Sequence, residues 1–226
     1  MSGLKPTRFE GVYFHVEDDG ERLATRNLTP GVAILGEKLV KHGKDEFRLW
    51  SPYRSKLSAA ILKGLERLPI GEGSLVLYLG AASGTTASYI SDIVGERGAV
   101  FCVEFAPRPM KELLRVCELR QNMVPLLADA RRPESYAHLV TEVDFLYQDV
   151  AQPNQGEIFC SNARAYLREG GSGLLMVKSR SVDVSRKPEE VFREEVDLLS
   201  RRGLRVEQTV LLQPFDKDHI AIAAGL

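Results

Sequence analysis

Residues 75–86, followed by Glu104, have the types and spacing of a nucleoside-binding site. The apolar first half of this segment predicts a buried strand that ends at Gly80, and small residues then lead to a helix that starts near Thr85. A second apolar run, Ala99–Val103, ends directly in Glu104. Small residues let a ligand approach the backbone, a helix N-terminus presents free N–H groups, and the acid can accept hydrogen bonds from both ribose hydroxyls. The pattern therefore predicts a nucleoside-containing cofactor.

The glycine spacing leaves the identity of this cofactor open. Three residues separate Gly80 from Gly84, which differs from the G-x-G-x-x-G fingerprint of dinucleotide binding. The start of the helix carries no lysine, so the segment is not a phosphate-binding P-loop either. A ribose-binding Glu104 is compatible with both NAD and S-adenosylmethionine. The alternative is a tight strand-to-helix turn followed by a solvated acid.

A glycine, an acid or a lysine follows each of the first five predicted strands of this region at the point where the strand ends. In chain order these residues are Gly80, Glu104, Asp129, Asp149 and Lys178. Ligands of doubly wound sheets bind outside the carboxyl ends of the strands, so we expect these residues to share one site. Asp129 is suited to accept from an exocyclic amine such as that of adenine, and Asp149 to face a sulfonium or amino group. The alternative for both acids is capping of nearby backbone.

Two basic side chains complete this edge of the predicted sheet. Lys178 ends the fifth strand, and we expect it to form an ion pair with the neighbouring Asp149. A carboxylate favours the charged form of a lysine whereas burial opposes it, so the protonation state of Lys178 stays open. His219 lies in the turn before the last strand, where a catalytic or orienting role competes with a purely structural one.

Residues 55–226 alternate between helix and strand patterns, and the strand patterns are nearly unbroken apolar runs, as in a parallel sheet covered on both faces. The predicted strands are Leu75–Leu79, Ala99–Val103, Met123–Leu127, Val143–Tyr147, Gly173–Val177, Leu204–Leu211 and His219–Ala223. A first helix has Leu57, Ile61, Leu65 and Leu68 on one face, and later helices are predicted at Thr85–Val94, Pro107–Arg120, Pro133–Val140, Asn154–Arg168 and Pro188–Arg202. The link Gln213–Asp218 is too short for a parallel crossover. We therefore expect a doubly wound, Rossmann-like α/β sheet with a reversed last strand, the architecture of class I methyltransferases.

The N-terminal residues have a different pattern of apolar residues. Alternation of apolar and polar residues from Val12 onwards, with a turn at Asp18-Asp19-Gly20, is typical of a β-hairpin. Further short strands are predicted at Glu21–Arg26, Gly31–Val40 and Glu46–Trp50. The predicted organisation is a small antiparallel β domain at 1–54, followed by the α/β domain at 55–226.

Composition excludes several classes of protein. With 226 residues, 44% hydrophobic content and a formal net charge of −1, the chain is neither a disordered tail nor a freely basic nucleic-acid binder. Cys102, Cys117 and Cys160 lack metal-ligand spacing, so we expect no metal site and reduced, buried thiols, as in a cytoplasmic protein. The first ten residues contain no apolar signal-peptide region, and no apolar run is long enough to span a bilayer. We therefore expect a cytoplasmic protein without a membrane partner.

Several segments of the chain together resemble archaeal members of the fibrillarin family. They are the residues 51–57 (SPYRSKL), 78–86 (YLGAASGTT), 103–105 (VEF), 129–131 (DAR), 149–153 (DVAQP), 177–181 (VKSRS) and 218–219 (DH). Most of these segments are unspecific singly, whereas the set is specific and extends over nearly the whole chain. One departure is Ser51, where the family usually has asparagine.

The resemblance implies an RNA 2′-O-methyltransferase that uses S-adenosylmethionine within a box C/D ribonucleoprotein. By this resemblance the cofactor contacts fall on Gly80, Ala81, Thr85, Thr86, Glu104, Phe105, Asp129, Ala130, Asp149, Val150, Ala151 and Gln152, and the catalytic set falls on Lys56, Asp149, Lys178 and His219. Without the resemblance, Lys56 is interpreted as a solvated lysine at the start of a helix. The implied partners are a box C/D guide RNA, a target rRNA or tRNA, a Nop-type scaffold protein and a kink-turn-binding protein of ribosomal type.

The implied reaction moves a methyl group from a sulfonium to a ribose 2′-hydroxyl by in-line attack, so positioning should supply most of the catalysis. We expect Lys178 to contact the hydroxyl, as a proton acceptor or as a stabiliser of oxyanion charge, with Asp149 orienting it. Lys56 and His219 are expected to hold the nucleotide or relay a proton. Phosphate contacts are expected from Lys41, Lys44, Arg48, Arg54, Arg180, Arg186 and Lys187, although the net charge predicts weak RNA binding by the isolated chain.

Three other functions stay open at this point. The chain is also compatible with a methyltransferase that acts on a small molecule or a protein, with a nicotinamide oxidoreductase, or with a non-catalytic assembly subunit of the same fold.

Overall fold

The computed structural model describes residues 3–18, 20–183 and 185–226, which form one five-stranded sheet, one seven-stranded sheet and six α-helices. The strands are β1 (Gly3–Pro6), β2 (Val12–Glu17), β3 (Gly20–Arg26), β4 (Leu39–His42), β5 (Asp45–Trp50), β6 (Leu75–Leu79), β7 (Ala99–Glu104), β8 (Met123–Leu127), β9 (Val143–Gln148), β10 (Leu167–Lys178), β11 (Arg205–Leu211) and β12 (His219–Gly225). The helices are α1 (Lys56–Leu62), α2 (Thr85–Val94), α3 (Pro107–Leu119), α4 (Gln155–Tyr166), α5 (Ser179–Val182) and α6 (Pro188–Arg201).

The larger sheet, formed by β6 to β12, has the predicted doubly wound architecture. Its strand order is β11-β12-β10-β9-β6-β7-β8, and β6 to β10 pair in parallel. The last strand, β12, runs antiparallel to both of its neighbours, β10 and β11. The strand order reverses between β6 and β9, which is the place where sheets of this kind open a crevice for ligands.

The smaller sheet, formed by β1 to β5, is antiparallel throughout and has the order β1-β2-β3-β5-β4. The predicted hairpin is present, since Glu17 of β2 pairs with Gly20 of β3, while Asp19 of its turn lies outside the described residues. Each of the two sheets uses a separate part of the chain, one up to Trp50 and the other from Leu75 onwards. The boundary between domains at 54 and 55 stays a prediction.

Two predicted helices are much shorter than the apolar pattern suggested, while α3, α4 and α6 end one or two residues before their predicted ends. The first ends at Leu62, because Gly64 adopts a φ of +98° that a helix does not use. Leu65 and Leu68 are buried nonetheless, packed as loop residues. The predicted helix Pro133–Val140 contains only a single 3-10 turn, Pro133–Tyr136, so its later apolar residue Val140 packs from irregular chain.

Two predicted strands differ from the structure by more than two residues at one end, whereas the others agree within two. Of the expected strand Gly31–Val40, only Leu39 and Val40 are in a strand, as the first two residues of β4. The residues before them form a loop that folds around Glu37. The Glu37 carboxylate accepts hydrogen bonds from the backbone N–H groups of Ile34 (3.2 Å) and Leu35 (2.7 Å). β10 begins at Leu167, directly after α4, and an irregularity in its pairing with β9 shifts the register before Ser172.

The core covers both faces of the larger sheet, because consecutive strand residues point to opposite sides. Tyr78 of β6 belongs to the cluster on the side of α1, α2 and α3, whereas its neighbour Leu79 packs on the side of α4 and α6. Two of the cysteines, Cys102 and Cys160, are buried as predicted, and Cys117 is half-buried; all three are free thiols. Burial raises the pKa of the Cys160 thiol to about 11. No helix in the described ranges has the length and apolar character needed to cross a membrane.

A buried ion network joins the smaller sheet to the larger one. Asp92 of α2 receives Nη1 of Arg48 at 2.8 Å and Nη1 of Arg120 at 2.6 Å, and all three side chains have no exposed surface. The Arg48 guanidinium also lies 4.2 Å from the centre of the Tyr89 ring. The expectation that Arg48 contacts RNA phosphates is therefore wrong, because its guanidinium group is buried and paired with Asp92 inside the protein.

Candidate active site

A cavity of about 420 Å³ opens at the carboxyl ends of β6, β9 and β10. It is lined by Arg54, Lys56, Tyr78, Gly80, Ala81, Ala82, Thr85, Thr86, Asp149, Val150, Ala151, Lys178, Asp216 and His219. Asp149 enters it where the strand order reverses, and its N–H donates to the Leu79 carbonyl at 2.9 Å. The structure thus brings together all four predicted catalytic side chains and seven of the predicted cofactor residues.

The remaining predicted cofactor residues lie beside this cavity at the ends of neighbouring strands. Glu104 is the last residue of β7 and Phe105 follows it, Asp129 and Ala130 come shortly after β8, and Gln152 lies in the loop after β9. Phe105 is 61% exposed, so its ring is free to stack on a flat ligand. Asp129 pairs with Arg131 at 2.6 Å, and hydrogen bonds from Arg131 lower the pKa of Asp129.

The turn between β6 and α2 depends on its glycines. Gly80 has a φ of +79°, and a Cβ atom there would lie 2.5 Å from the Asp149 carbonyl oxygen. Gly84, with a φ of +86°, precedes α2, and no side chain caps this helix start. The N–H groups of the first turn of α2 are therefore available to an anionic group such as a carboxylate.

The Glu104 carboxylate is fixed by backbone on both sides. Its Oε2 accepts a hydrogen bond from the N–H of Ala82 at 2.9 Å, and its Oε1 accepts one from the N–H of Ala106 at 2.7 Å. The residue is 9% exposed. Each carboxylate oxygen can accept a second hydrogen bond, so the group presents two oriented acceptors, which matches the two hydroxyls of a ribose.

Lys56 is the partner of Asp149. Its Nζ lies 2.8 Å from Oδ1 and 2.6 Å from Oδ2 of Asp149, and both side chains are mostly buried. The start of α1 is held in place because Ser55 caps it and also bonds Thr86 of α2, Oγ to Oγ1, at 3.0 Å. The view of Lys56 as a solvated lysine is therefore wrong.

Lys178 has no such partner. Among the described residues its ammonium group forms no ion pair within 4 Å, and the side chain is exposed at the rim of the cavity. The expected ion pair between Lys178 and Asp149 is not formed, because Lys56 engages both oxygens of that carboxylate. Lys178 therefore presents its charge to whatever enters the cavity.

Two buried glutamines, which the sequence analysis missed, connect the ends of β9 and β10 to the start of α4. Gln155 accepts the N–H of Lys178 at its Oε1 (3.0 Å), and Gln148 donates its Nε2 to the Gln155 carbonyl (2.7 Å). Both side chains have no exposed surface. Their only signal in the sequence is that Gln148 ends an apolar run, which is also true of many residues that merely end a strand.

His219 opens β12 at the same rim and is 6% exposed. Its Nδ1 lies 2.7 Å from the Lys217 carbonyl oxygen and 2.8 Å from Oδ1 of Asp216, a residue that the sequence analysis did not single out. Burial, reinforced by the nearby charge of Lys56, lowers the pKa of His219 below its ordinary value of 6.5. The imidazole is therefore neutral at physiological pH and able to accept a proton.

Taken together, these groups make a site for proton-coupled chemistry beside a nucleoside pocket. Two ammonium groups and a neutral imidazole lie in one cavity with the carboxylates of Asp149 and Asp216, and Glu104 lies at a neighbouring strand end. Within the described residues, no cluster of three or more side chains of His, Cys, Asp or Glu is arranged to hold a metal ion.

Comparison with known proteins assigns the chain to a family. The sequence model of the family described as Fibrillarin matches residues 4–226. A "Fibrillarin-like rRNA/tRNA 2′-O-methyltransferase" of Methanopyrus kandleri is 51% identical over 217 residues, which are 96% of this chain and 94% of that protein.

Two solved structures show the same fold over nearly the whole chain. Aeropyrum pernix fibrillarin, crystallised with natively bound S-adenosyl-L-methionine, superposes with a TM-score of 0.92 at 49% identity and covers 99% of both chains. The fibrillarin chain of a fibrillarin/Nop5p complex superposes with a TM-score of 0.87 at 40% identity, over 97% of this chain and 99% of that one. The match over almost every residue, at about half identity, shows that this chain is a member of the fibrillarin family.

Proposed function

We propose that the chain transfers a methyl group from S-adenosylmethionine to a ribose 2′-hydroxyl of rRNA and tRNA, at sites selected by a guide RNA. The observation that carries this function is the cavity in which Lys56, Asp149, Lys178 and His219 meet beside the nucleoside pocket. The M. kandleri relative is named for this activity. Because rRNA and tRNA are the substrates, we expect the reaction to take place in the cytoplasm.

The residues at the strand ends fit S-adenosylmethionine. We assign the ribose to Glu104, the adenine to Phe105, Asp129 and Ala130, and the methionine end to the turn and helix start between Gly80 and Thr86. The loop from Asp149 to Gln152 closes the pocket. Two structural features support this assignment: the two oriented acceptors of Glu104, and the free N–H groups at the start of α2. The A. pernix relative contains this cofactor.

The chain's own residues then act on the 2′-hydroxyl. Bound S-adenosylmethionine supplies an electrophilic methyl group on a positively charged sulfur. Asp149 and Lys56 form a fixed ion pair at the base of the cavity, so their charges are oriented before substrate enters. The exposed ammonium of Lys178 is suited to contact the 2′-oxygen and to stabilise the negative charge that develops there. Together these groups hold the nucleotide in the orientation that in-line attack requires.

Selection of the target nucleotide requires partners. We infer that a Nop-type scaffold protein docks the chain onto the guide RNA, since one relative was crystallised with Nop5p. A box C/D guide RNA would pair with the target, and a kink-turn-binding protein would complete the particle. Basic residues that remain candidates for phosphate contacts are the exposed Lys41, Lys44, Arg54, Arg180 and Lys187 and the half-buried Arg186. Of these, Arg180 and Arg186 already pair with Asp218 and Glu194 at 2.7 and 2.6 Å.

A reconstituted particle tests the proposed function. Chain, scaffold protein, kink-turn-binding protein and guide RNA are incubated with S-adenosylmethionine labelled in its methyl group. The target RNA carries either ribose or 2′-deoxyribose at the selected nucleotide, since the 2′-hydroxyl is the proposed acceptor. We expect label only in the ribose-containing RNA. Equal labelling of the deoxy target, or transfer to protein instead, would rule the proposal out.

Replacing Glu104 by glutamine should weaken binding of S-adenosylmethionine. The glutamine amide lacks the negative charge that strengthens hydrogen bonds to the ribose. Its NH₂ group would also face one of the two backbone N–H groups, of Ala82 or Ala106, so that two donors meet. We expect the Kd to rise by about 10- to 100-fold, since a hydrogen bond to a charged group contributes about 1.5–3 kcal/mol. Isothermal titration calorimetry measures the change.

Glu118→Gln is the matched control, because Glu118 is an exposed glutamate on α3. Its Kd should equal that of the unmodified chain. An unchanged Kd for Glu104→Gln, with an unaltered melting temperature, would mean that Glu104 does not bind the ribose.

A further inference from the structure

The loop between β11 and β12 contains a carboxylate outside the catalytic set of the proposed function. Oδ1 of Asp216 and the carbonyl oxygen of Lys217 both lie within 2.8 Å of Nδ1 of His219. A carbonyl oxygen can only accept a hydrogen bond, so Nδ1 must carry a proton and donate it. In the neutral imidazole the free lone pair is therefore on the other ring nitrogen, Nε2.

Nε2 of His219 is available to a substrate. Within the described residues it forms no hydrogen bond, and it is not one of the polar atoms that are buried without a partner. The residue lines the same cavity as Lys56, Asp149 and Lys178. An accessible lone pair on a mostly buried ring, beside the proposed position of the 2′-hydroxyl, is the arrangement that a proton acceptor requires.

The loop that carries this pair is tied down at both ends. Asp218 has a φ of +60°, which is uncommon outside glycine, and its carbonyl accepts hydrogen bonds from the N–H (3.0 Å) and Oγ (3.2 Å) of Ser179. At the other end, the N–H of Leu212 donates to the His219 carbonyl at 3.1 Å. These contacts hold Asp216 and the imidazole in one relative orientation.

We propose that His219 accepts the proton of the ribose 2′-hydroxyl at Nε2, and that Asp216 is a positioning residue that orients the ring and stabilises the imidazolium as it forms. The proposal rests on the proposed function. The O–H bond breaks and its proton goes to Nε2, while the oxygen forms a bond to the methyl carbon and the carbon–sulfur bond breaks with its electron pair left on sulfur. The imidazolium then returns its proton to water.

Five charged groups line the cavity around this imidazole. They are Arg54 and Lys56 before and at the start of α1, Asp149 after β9, Lys178 at the end of β10 and Asp216 in the loop before β12. The charge of Lys56 lowers the pKa of His219, whereas Asp216 and Asp149 oppose that shift. Removing the Asp216 charge should therefore lower the pKa of His219 further, and make the imidazolium harder to form.

The first measurement is ¹⁵N NMR of the histidine rings in the full chain, without any cofactor. We expect His219 to have Nδ1 protonated and Nε2 unprotonated at pH 7. In Asp216→Asn, its pKa should fall by up to about one unit. A ring protonated at Nε2, or a pKa that does not change in Asp216→Asn, would overturn the proposal.

The second measurement is the single-turnover methylation rate of the reconstituted particle over a range of pH. Asp216→Asn should slow methylation about tenfold, the equivalent of one pKa unit, and shift the acidic limb of the pH profile to lower pH. The Kd for S-adenosylmethionine should not change, and Asp216→Glu should restore part of the rate. Asp218→Asn is the control. It removes a carboxylate from the same loop, but this carboxylate contacts Arg180 and not His219.

The two proposals fail in different ways. An unmodified particle that does not methylate RNA contradicts the proposed function, whatever the NMR shows. An active particle in which Asp216→Asn retains the full rate and an unshifted pH profile contradicts only the role of Asp216.

Discussion

Replacing Lys178 by alanine is expected to lower the single-turnover methylation rate by about 100- to 1,000-fold, the usual cost of removing one group that stabilises a developing oxyanion. The affinity for S-adenosylmethionine should change little. Lys178 is exposed, and among the described residues it has no ion-pair partner, so its removal leaves no buried charge behind. Single-turnover rates in the reconstituted particle, together with calorimetric Kd values, measure the two effects separately.

Lys63→Ala is the matched control for this variant, because Lys63 is an exposed lysine directly after α1 and lies outside the lining of the cavity. It should keep the full rate. If Lys178→Ala methylated RNA within a few-fold of the unmodified rate, Lys178 would not contact the 2′-oxygen. A loss of cofactor affinity as large as the loss of rate would indicate a binding role instead.

Lys56→Ala should behave differently from Lys178→Ala, because Lys56 balances the charge of Asp149. Its loss leaves a mostly buried carboxylate without its cation, which disturbs the cavity itself. The structure therefore distinguishes the two lysines. Lys56 is held in an ion pair with Asp149, whereas the ammonium group of Lys178 is exposed to the substrate.

The strands of the larger sheet could be predicted closely because their apolar runs are continuous. β6 and β8 have the predicted bounds, and α2 begins and ends at the predicted residues Thr85 and Val94. The reversed last strand also followed from sequence, since the link at Gln213–Asp218 leaves no room for a crossover. Where apolar residues were sparse or irregular, as at Gly31–Val40 and Pro133–Val140, local hydrogen bonding and glycine conformation decided the structure instead.

The site was predictable in its location but not in its pairing. Parallel strands bring their carboxyl ends to one edge, so Gly80, Glu104, Asp149 and Lys178 had to converge. Which lysine reaches Asp149 depends on the position of α1, which is fixed by the contact between Ser55 and Thr86, 31 residues apart. Such long-range side-chain contacts leave no pattern in a single sequence. Asp216 lies only three residues before His219, but Asp218 lies nearer still, and the sequence alone could not show which of these two carboxylates contacts the imidazole.

The buried network around Asp92 was equally hidden, because Arg48, Asp92 and Arg120 each look like ordinary surface residues in the sequence. In the structure Asp92 is the anion between two guanidinium groups that have no exposed surface. It also accepts hydrogen bonds from the Thr25 hydroxyl (2.7 Å) and the Leu28 N–H (3.2 Å). Because Asp92 belongs to α2, the network fixes the smaller sheet to the helix whose first turn faces the cofactor pocket.

Asp92→Asn should consequently destabilise the chain by about 3–5 kcal/mol, the typical cost of leaving a buried charge without its partner, because Arg120 loses its anion whereas Arg48 keeps its ion pair with Glu37. For a chain of this size, that corresponds to a melting temperature lower by about 10 °C. Glu112→Gln, which breaks an exposed ion pair with Arg115, is the control and should change stability by less than about 0.5 kcal/mol. Urea unfolding and thermal melts measure both variants. If Asp92→Asn were as stable as this control, Arg120 would not depend on Asp92 for charge balance, and the network would not stabilise the contact between the smaller sheet and α2.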